Sequence, residues 1–211
     1  MSSINKNIVN LISELLREGG LTNMRSLFSI VSQIINNNEI NIHKYKINKI
    51  EDPEKWDWIK NKKPEVLVIH YSSYLKSGDI KMARYVNKIF REKGIEPKTI
   101  WVSTLRNKDV QKRINQIAKS LNLYAIVTTT SFSVDKVEDN GYKSGSFFST
   151  LNLPIFQLIT STNSKHDWKN SSQGLNPIDL SIQVVLPEVD GRICTVPIAF
   201  KNLSYTDNEL S

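Results

Sequence analysis

The sequence predicts an α/β domain with a largely parallel sheet and flanking helices, preceded by an N-terminal helical arm. After Pro64, short apolar runs typical of strands buried on both faces alternate with longer segments whose apolar residues recur at helical spacing. Before Pro64, helical spacing is the dominant pattern. Strands that alternate with helices of this size favour parallel pairing through right-handed crossovers.

Residues 1–63 are predicted to form the helical arm and a connector. A first helix has its apolar residues at helical spacing and ends at Gly19–Gly20, where glycine permits the left-handed conformation that terminates helices. A second helix follows, with Thr22 or Asn23 as its predicted cap. Residues 39–63 carry several charges and two tryptophans, and they are interpreted as the connector.

Residues 64–211 are predicted to form the α/β domain, in a flavodoxin- or Rossmann-like arrangement. Its first four strands are predicted at residues 65–70, 98–102, 124–128 and 154–160. Amphipathic helices are predicted between the first three strands, from Met82 to Phe90 and from Val110 to Leu121. A polar loop with Gly141 and Gly145 precedes the fourth strand.

The last third of the chain contains two further predicted features. Asn176-Pro177 can start a turn or short helix, with Asp179 near its N-terminus. The β-branched residues from Ile182 to Val185 predict another strand. A loop punctuated by proline and glycine then runs from Pro187 to Arg192.

Composition excludes some classes of protein and leaves others open. The formal charge of +7 is compatible with nucleic-acid binding, but the lysines are dispersed and the densest basic stretches lack interleaved aromatic residues. The single cysteine, Cys194, excludes an internal disulfide and gives no metal-ligand spacing. Apolar runs are strand-sized and no secretory signal is recognisable, so we expect a cytoplasmic protein without a membrane span.

The predicted strand ends share a hydroxyl-rich composition, which indicates a binding edge. In open α/β sheets, ligands bind beyond the carboxyl ends of the strands. The residues at or after these ends include His70, Tyr71, Ser72, Thr104, Arg106, Thr129, Ser131 and Thr160. Together they could hydrogen-bond carboxylate or amide groups of a ligand. The alternative is that they are ordinary turn residues, and for His70 a structural histidine is the commoner case.

Familiar nucleotide and metal motifs are absent from the sequence. No glycine-rich phosphate-binding loop occurs, and none of the three histidines stands in a zinc-binding pair. We therefore expect no cofactor, no ATP site and no metal centre of the chain's own. The segment Pro187–Arg192 nevertheless places two carboxylates, Glu188 and Asp190, beside the guanidinium of Arg192. A local turn at Asp190-Gly191, with Arg192 paired to Glu188, would also explain this segment.

Several segments resemble the large subunit of the CobN / magnesium-chelatase H-subunit family. The most specific are Gly174-Leu-Asn-Pro-Ile-Asp179 and Leu186-Pro-Glu-Val-Asp-Gly-Arg192, in which Val189 replaces the usual leucine. Weaker matches, in the order expected for the family, are Glu18–Asn23, Tyr71–Asp79, Gly94–Pro97 and Leu153–Gln157. The resemblance therefore extends over nearly the whole chain.

The resemblance implies an ATP-dependent cobaltochelatase function in cobalamin biosynthesis. The family's large subunit binds a tetrapyrrole, such as hydrogenobyrinic acid a,c-diamide or protoporphyrin, together with the metal ion, which here would be cobalt as a substrate. An AAA+ ATPase subunit and a von Willebrand-type subunit are the implied partners that use ATP. Because insertion removes two pyrrole protons, Glu188 and Asp190 are candidate catalytic groups, and Arg192 joins the candidate substrate-binding residues.

The family's large subunits are longer and carry a later His-Gly-Thr/Ser-Leu-Glu motif that is absent from this chain. We therefore expect a partial large subunit that acts with the remainder of that subunit. It would be a split-gene product, a truncated relic or a small paralogue, and it would not be catalytic alone. The alternatives are a non-catalytic tetrapyrrole-binding or interaction module, a magnesium-chelatase H-like fragment and, last, a nucleic-acid-binding protein.

Overall fold

A computed structural model describes residues 5–49, 62–134 and 146–201. In this part, the chain divides into two compact units. The first contains residues 5–49 and 72–81, and the second contains residues 62–71, 82–134 and 146–201. The predicted boundary between residues 63 and 64 stays a prediction. Most of the predicted connector, and the predicted loop with Gly141 and Gly145, lie outside the described residues.

The first unit is helical, and both predicted arm helices are confirmed. Its elements are α1 (Lys6–Glu18), α2 (Leu21–Ile35), a 3-10 turn (Ile42–Lys44) and α3 (Ser72–Ser77). Its core consists of Leu15, Leu27 and Ile30, which are buried against partly buried apolar residues of both long helices. The amphipathic spacing of α1 and α2 therefore serves their packing against each other.

The connection between α1 and α2 depends on two glycines and one asparagine. Gly19 and Gly20 both have positive φ, and a Cβ at Gly19 would lie 3.1 Å from the Cβ of Lys76. Gly20 is the N-cap of α2, so the predicted capping role of Thr22 or Asn23 is wrong. The buried Asn23 side chain instead donates to the carbonyls of Gly19 and Asn48, each at 2.7 Å, and accepts from the Asn48 N–H at 2.8 Å.

The second unit contains a five-stranded parallel sheet, which confirms the predicted fold class. Its strands are β1 (Glu65–Tyr71), β2 (Glu96–Val102), β3 (Leu123–Thr128), β4 (Ile155–Ser161) and β5 (Ile193–Phe200). The strand order is β2-β1-β3-β4-β5 and every neighbouring pair is parallel. This is the flavodoxin-type order, in which the direction of winding reverses between β1 and β3.

Helices connect these strands and cover the sheet. They are α4 (Lys81–Glu92), α5 (Lys108–Ser120), a 3-10 turn (Phe147–Leu151), α6 (Lys165–Asn170), α7 (Pro177–Leu180) and α8 (Leu186–Val189). Val86 of α4 packs on Val66 and Val68 of β1 and on Ala125 of β3. The near-continuous apolar run of β1 is thus explained by burial, since every residue from Glu65 to His70 is buried.

The predicted strand at Ile182–Val185 is wrong, because these residues are helical. A π turn (Ser181–Val185) joins α7 to α8, and the Leu186 N–H bonds the Ser181 carbonyl five residues earlier. Proline lacks an N–H and crowds the preceding helical turn, so a wider turn just before Pro187 relieves that conflict. The β-branched side chains favour a strand locally, but the helix start at Asn176-Pro177 and tertiary contacts override that preference.

The sequence pattern does not predict the fifth strand, Ile193–Phe200. It contains Pro197 and lies at the edge of the sheet, and none of its residues is fully buried. Proline within a strand is tolerated mainly at such edges. The predicted loop at Pro187–Arg192 is partly helical, since α8 continues to Val189 before a turn at Asp190-Gly191.

We expect Asn23→Leu to lower the free energy of unfolding of the first unit by about 2–3 kcal/mol, because three backbone groups lose their partner in the buried Asn23 side chain. Urea denaturation followed by far-UV circular dichroism would measure the change. Asn38→Leu, at an exposed position in the same unit, is the matched control. Equal loss in the two variants would contradict the bridging role of Asn23.

Candidate functional site

A cavity of about 230 Å³ lies in the second unit at the carboxyl ends of the strands. Its walls come from the ends of β1, β2 and β3, so it lies at the point where the winding direction reverses. The lining residues are Tyr71, Thr104, Leu105, Arg106, Thr130, Ser131, Phe132, Ser133 and Val134. Four residues predicted from the strand ends, Tyr71, Thr104, Arg106 and Ser131, are therefore brought together.

Among the described residues that line the cavity, Arg106 is the one with a formal charge. Its Nε donates to the Ser133 carbonyl at 3.1 Å, and its backbone N–H donates to the Thr104 hydroxyl at 3.2 Å. Across the cavity wall, the Tyr71 hydroxyl donates to the Ser131 carbonyl at 2.9 Å. A guanidinium with neighbouring hydroxyls is a donor set suited to a carboxylate or amide group.

Residues 130–134, here called the β3 loop, form the longest wall of the cavity and are fixed by hydrogen bonds. The Thr130 N–H donates to the Thr128 hydroxyl at 3.0 Å, and the Phe132 N–H donates to the Ile182 carbonyl of the π turn at 3.0 Å. Phe132 has φ +64°, which is unusual for an aromatic residue. These bonds hold the β3 loop in one conformation.

Arg192 lies behind the β3 loop and is buried. One terminal nitrogen donates to the Thr130 carbonyl and the Gln157 side-chain oxygen, each at 2.8 Å. The other donates to the Phe132 carbonyl at 2.8 Å and to Asp190 at 2.7 Å. Burial lowers the pKa of the Arg192 guanidinium, and the Asp190 carboxylate opposes that shift.

Asp190 lies in the turn that follows α8 and bonds this turn to the end of the β3 loop. Its Oδ2 accepts from the Val134 N–H at 2.8 Å as well as from Arg192. Glu188, by contrast, is exposed on α8. The predicted catalytic roles of Glu188 and Asp190 stay predictions.

The π turn supplies Gln183, which the sequence reasoning did not single out. The amide nitrogen of Gln183 donates to the Ser131 hydroxyl at 2.8 Å and to the Thr160 hydroxyl at 3.2 Å. Its oxygen accepts from Gln157 at 3.3 Å. Gln157 lies between apolar residues of β4, a signal that could have marked it as a buried polar residue with a specific partner.

Asp179 is fully buried, and its carboxylate links α7 to the end of β4 by hydrogen bonds. It accepts from the Thr162 N–H at 2.7 Å and the Ser161 hydroxyl at 3.0 Å. The side chain of Asn176 caps α7 by accepting from the Asp179 N–H at 2.8 Å. The prediction that Asn176-Pro177 starts a short helix is therefore confirmed, and the Asp179 carboxylate also has a tertiary role.

The other predicted residues lie in different surroundings. His70 is fully buried, with its Nδ1 2.8 Å from the Thr129 hydroxyl and its ring against Trp101 at 5.1 Å between centroids. Burial lowers the pKa of His70 to about 4. Ser72 begins α3 and belongs to the first unit.

Neither a metal-binding cluster nor a membrane-spanning helix occurs among the described residues. No group of three or more His, Cys, Asp or Glu side chains there is placed to hold a metal ion. No helix among residues 5–49, 62–134 and 146–201 combines the length and apolar character needed to cross a bilayer.

A family model described as CobN/Magnesium Chelatase matches residues 13–211. The chain belongs to the CobN/magnesium chelatase family. The resemblance found in the sequence motifs is thereby confirmed. In this family member, the Asn-Pro-x-Asp motif bonds α7 to the end of β4 through Asp179, and the Pro-Glu-x-Asp-Gly-Arg motif bonds the segment after α8 to the β3 loop through Arg192.

Curated relatives of this family member are much longer proteins. The chain is similar to aerobic cobaltochelatase subunit CobN of Pseudomonas aeruginosa, at 29% identity over 72% of the chain and 12% of the relative. It is also 33% identical to an uncharacterised protein of Methanocaldococcus jannaschii, over 66% of the chain and 12% of that protein. The chain therefore corresponds to a segment of such proteins.

The fold of this CobN/magnesium chelatase family member is also found in a solved structure. The catalytic subunit of cobaltochelatase from Mycobacterium tuberculosis superposes with a TM-score of 0.70 at 20% identity. The match covers 97% of this chain and 18% of that one. The arrangement of helices and sheet described above is thus shared with that structure.

We expect the buried His70 to make stability dependent on pH. Its folded pKa of about 4 lies below the model-peptide value of 6.5, so the unfolded state binds the proton first as pH falls. The contribution of the buried, neutral His70 to the free energy of unfolding is complete above pH 6.5, and about 3 kcal/mol of it is lost by pH 4. His70→Asn should flatten the unfolding free energy over this range, while His166→Asn, at an exposed position, should not. Parallel profiles for the wild type and His70→Asn would contradict the assignment.

We expect Arg192→Met to lower the free energy of unfolding by about 3–5 kcal/mol, because it leaves Asp190 and two carbonyls buried without their cation. The double variant Arg192→Met/Asp190→Leu should lose less free energy of unfolding than the single variants Arg192→Met and Asp190→Leu lose in sum. Urea denaturation of the four proteins gives the coupling energy directly. Arg91→Met is the control, since Arg91 is exposed and 3.8 Å from Glu96. A loss no larger than that of the control would show that the buried bonds contribute little.

Proposed function

We propose that this chain supplies part of the tetrapyrrole-binding surface of an ATP-dependent cobaltochelatase large subunit. Membership of the CobN/magnesium chelatase family and the similarity to cobaltochelatase subunits support this proposal. The observation that carries it is the convergence of Tyr71, Thr104, Arg106 and Ser131 on one cavity at the switch point of the sheet.

The size of the cavity determines which part of the macrocycle it would take. At about 230 Å³ it is smaller than the roughly 300–1,000 Å³ of pockets that enclose drug-sized ligands. It would therefore hold a substituent and leave the ring outside. The guanidinium of Arg106 and the neighbouring hydroxyls suit an acetate, propionate or acetamide arm, which hydrogenobyrinic acid a,c-diamide carries.

The metal-insertion chemistry would be completed by other polypeptide. Cobalt is the proposed substrate, and insertion must remove its water ligands and two pyrrole protons. Within this chain, Glu188 is an exposed carboxylate available for proton transfer, whereas Asp190 accepts from Arg192 and Val134 and suits a positioning role. The remainder of the large subunit would supply the other catalytic groups.

The same family membership supports the proposed pathway and partners. The macrocycle belongs to cobalamin biosynthesis, and ATP would be hydrolysed by an AAA+ ATPase subunit with its von Willebrand-type partner. The match to only 12% of the Pseudomonas aeruginosa relative supports dependence on further polypeptide for activity.

We expect Arg106→Gln to weaken binding of hydrogenobyrinic acid a,c-diamide about tenfold, because a charge-assisted hydrogen bond contributes about 1.5 kcal/mol or more. Absorbance titration of the purified chain, alone and with the remainder of the large subunit, measures the affinity. Protoporphyrin serves as the second macrocycle. Arg84→Gln, at an exposed position of α4, is the control and should bind as the wild type does. Wild-type protein that binds neither macrocycle in either setting would overturn the proposed function.

A further inference from the structure

Phe132 combines an exposed aromatic ring with an unfavourable backbone conformation on the cavity wall. Its side chain is 46% exposed, it lines the cavity, and its φ is +64°. The described residues include three non-glycine positions with positive φ, and the other two are asparagines. Asparagine tolerates the left-handed region, whereas a bulky side chain there is strained.

The hydrogen bonds of Phe132 to the rest of the fold are made by its backbone. The backbone of Phe132 makes the structural contacts, since its N–H donates to Ile182 and its carbonyl accepts from Arg192. Glycine or asparagine would make the same backbone bonds with less strain. An exposed aromatic ring maintained in a strained conformation therefore indicates a binding role, because strain of this kind concentrates at functional sites.

The position of Phe132 relative to Arg106 defines the chemistry of the ligand. Arg106 Nε is bonded at 3.1 Å to the carbonyl of Ser133, the residue that follows Phe132. Both residues line the same cavity. Phe132 and the Arg106 guanidinium therefore belong to the same cavity wall, and this combination matches a flat conjugated ring that bears a carboxylate arm.

We propose that Phe132 is a stacking platform for the conjugated face of the macrocycle, whose carboxylate arm reaches Arg106. This inference rests on the proposed function and specifies how the ring itself is held. Aromatic side chains bind flat conjugated rings by offset stacking, as they do with nucleic-acid bases. Phe132 is then a binding residue, and the strained conformation of its backbone directs the ring out of the fold.

The test compares Phe132→Gly, Phe132→Asn and Phe132→Tyr in absorbance titrations with protoporphyrin and with hydrogenobyrinic acid a,c-diamide. Removing the ring should weaken binding about tenfold, and Phe132→Tyr should remain within about twofold of the wild type. The melting temperatures of the glycine and asparagine variants should be no lower than that of the wild type, because both residues accept positive φ. Phe28→Ala, which removes a 68% exposed ring from α2, controls for macrocycle adhering to exposed aromatics.

The outcomes separate this inference from the proposed function. Wild-type affinity in Phe132→Gly and Phe132→Asn, with weakened binding in Arg106→Gln, would overturn the stacking role and leave the proposed function standing. Lower melting temperatures together with weaker binding in both ring-removing variants would assign Phe132 a structural role and overturn the inference. Equal weakening in Phe28→Ala would show unspecific adhesion and would also overturn it. A wild-type chain that binds neither macrocycle, alone or with the remainder, would refute the proposed function itself.

Discussion

The cavity of the second unit depends on the buried guanidinium of Arg192. Its two terminal nitrogens reach carbonyls of the β3 loop, the side chain of Gln157 on β4 and the carboxylate of Asp190. The guanidinium also lies 5.0 Å from the ring centre of Phe148. A buried cation is expensive unless it is paired and hydrogen-bonded, so this constellation strongly favours the one loop conformation that satisfies it.

The helical segment from Pro177 to Val189 also supports the cavity wall. Asp179 fixes its beginning to the end of β4, and Gln183 in the π turn reaches hydroxyls at the ends of β3 and β4. π turns of this kind inside helical segments are frequent at functional sites. The motifs that carry the family resemblance therefore act here by positioning the cavity wall, since Asp179 and Arg192 are both buried.

The sequence was sufficient for the fold class, the first four strands and the edge of the sheet that carries the cavity. Periodicity and strand-sized apolar runs are local signals, and the carboxyl-edge rule then placed Tyr71, Thr104, Arg106 and Ser131 correctly. The remainder depended on tertiary contacts. Ile182–Val185 has strand propensity but is held in a π turn, and the burial of Arg192 becomes visible only once strand order brings β4 and the β3 loop together. The left-handed conformation of Phe132 has no local sequence signal, because the residue type disfavours it.

Arg192 and Arg106 have different roles at the site because Arg192 is buried and Arg106 is exposed. Arg192 directs its charge inward to fixed carbonyls, whereas Arg106 is exposed and bonds the β3 loop through Nε at 3.1 Å. Because buried hydrogen bonds fix the backbone of the β3 loop on its inner side, the loop is already positioned without a ligand. A ligand that binds to it loses little free energy in ordering the backbone, which is the physical advantage of a preorganised site. The buried hydrogen bonds that hold the loop also offset the backbone strain at Phe132. The same bonds therefore stabilise the fold and preorganise the site.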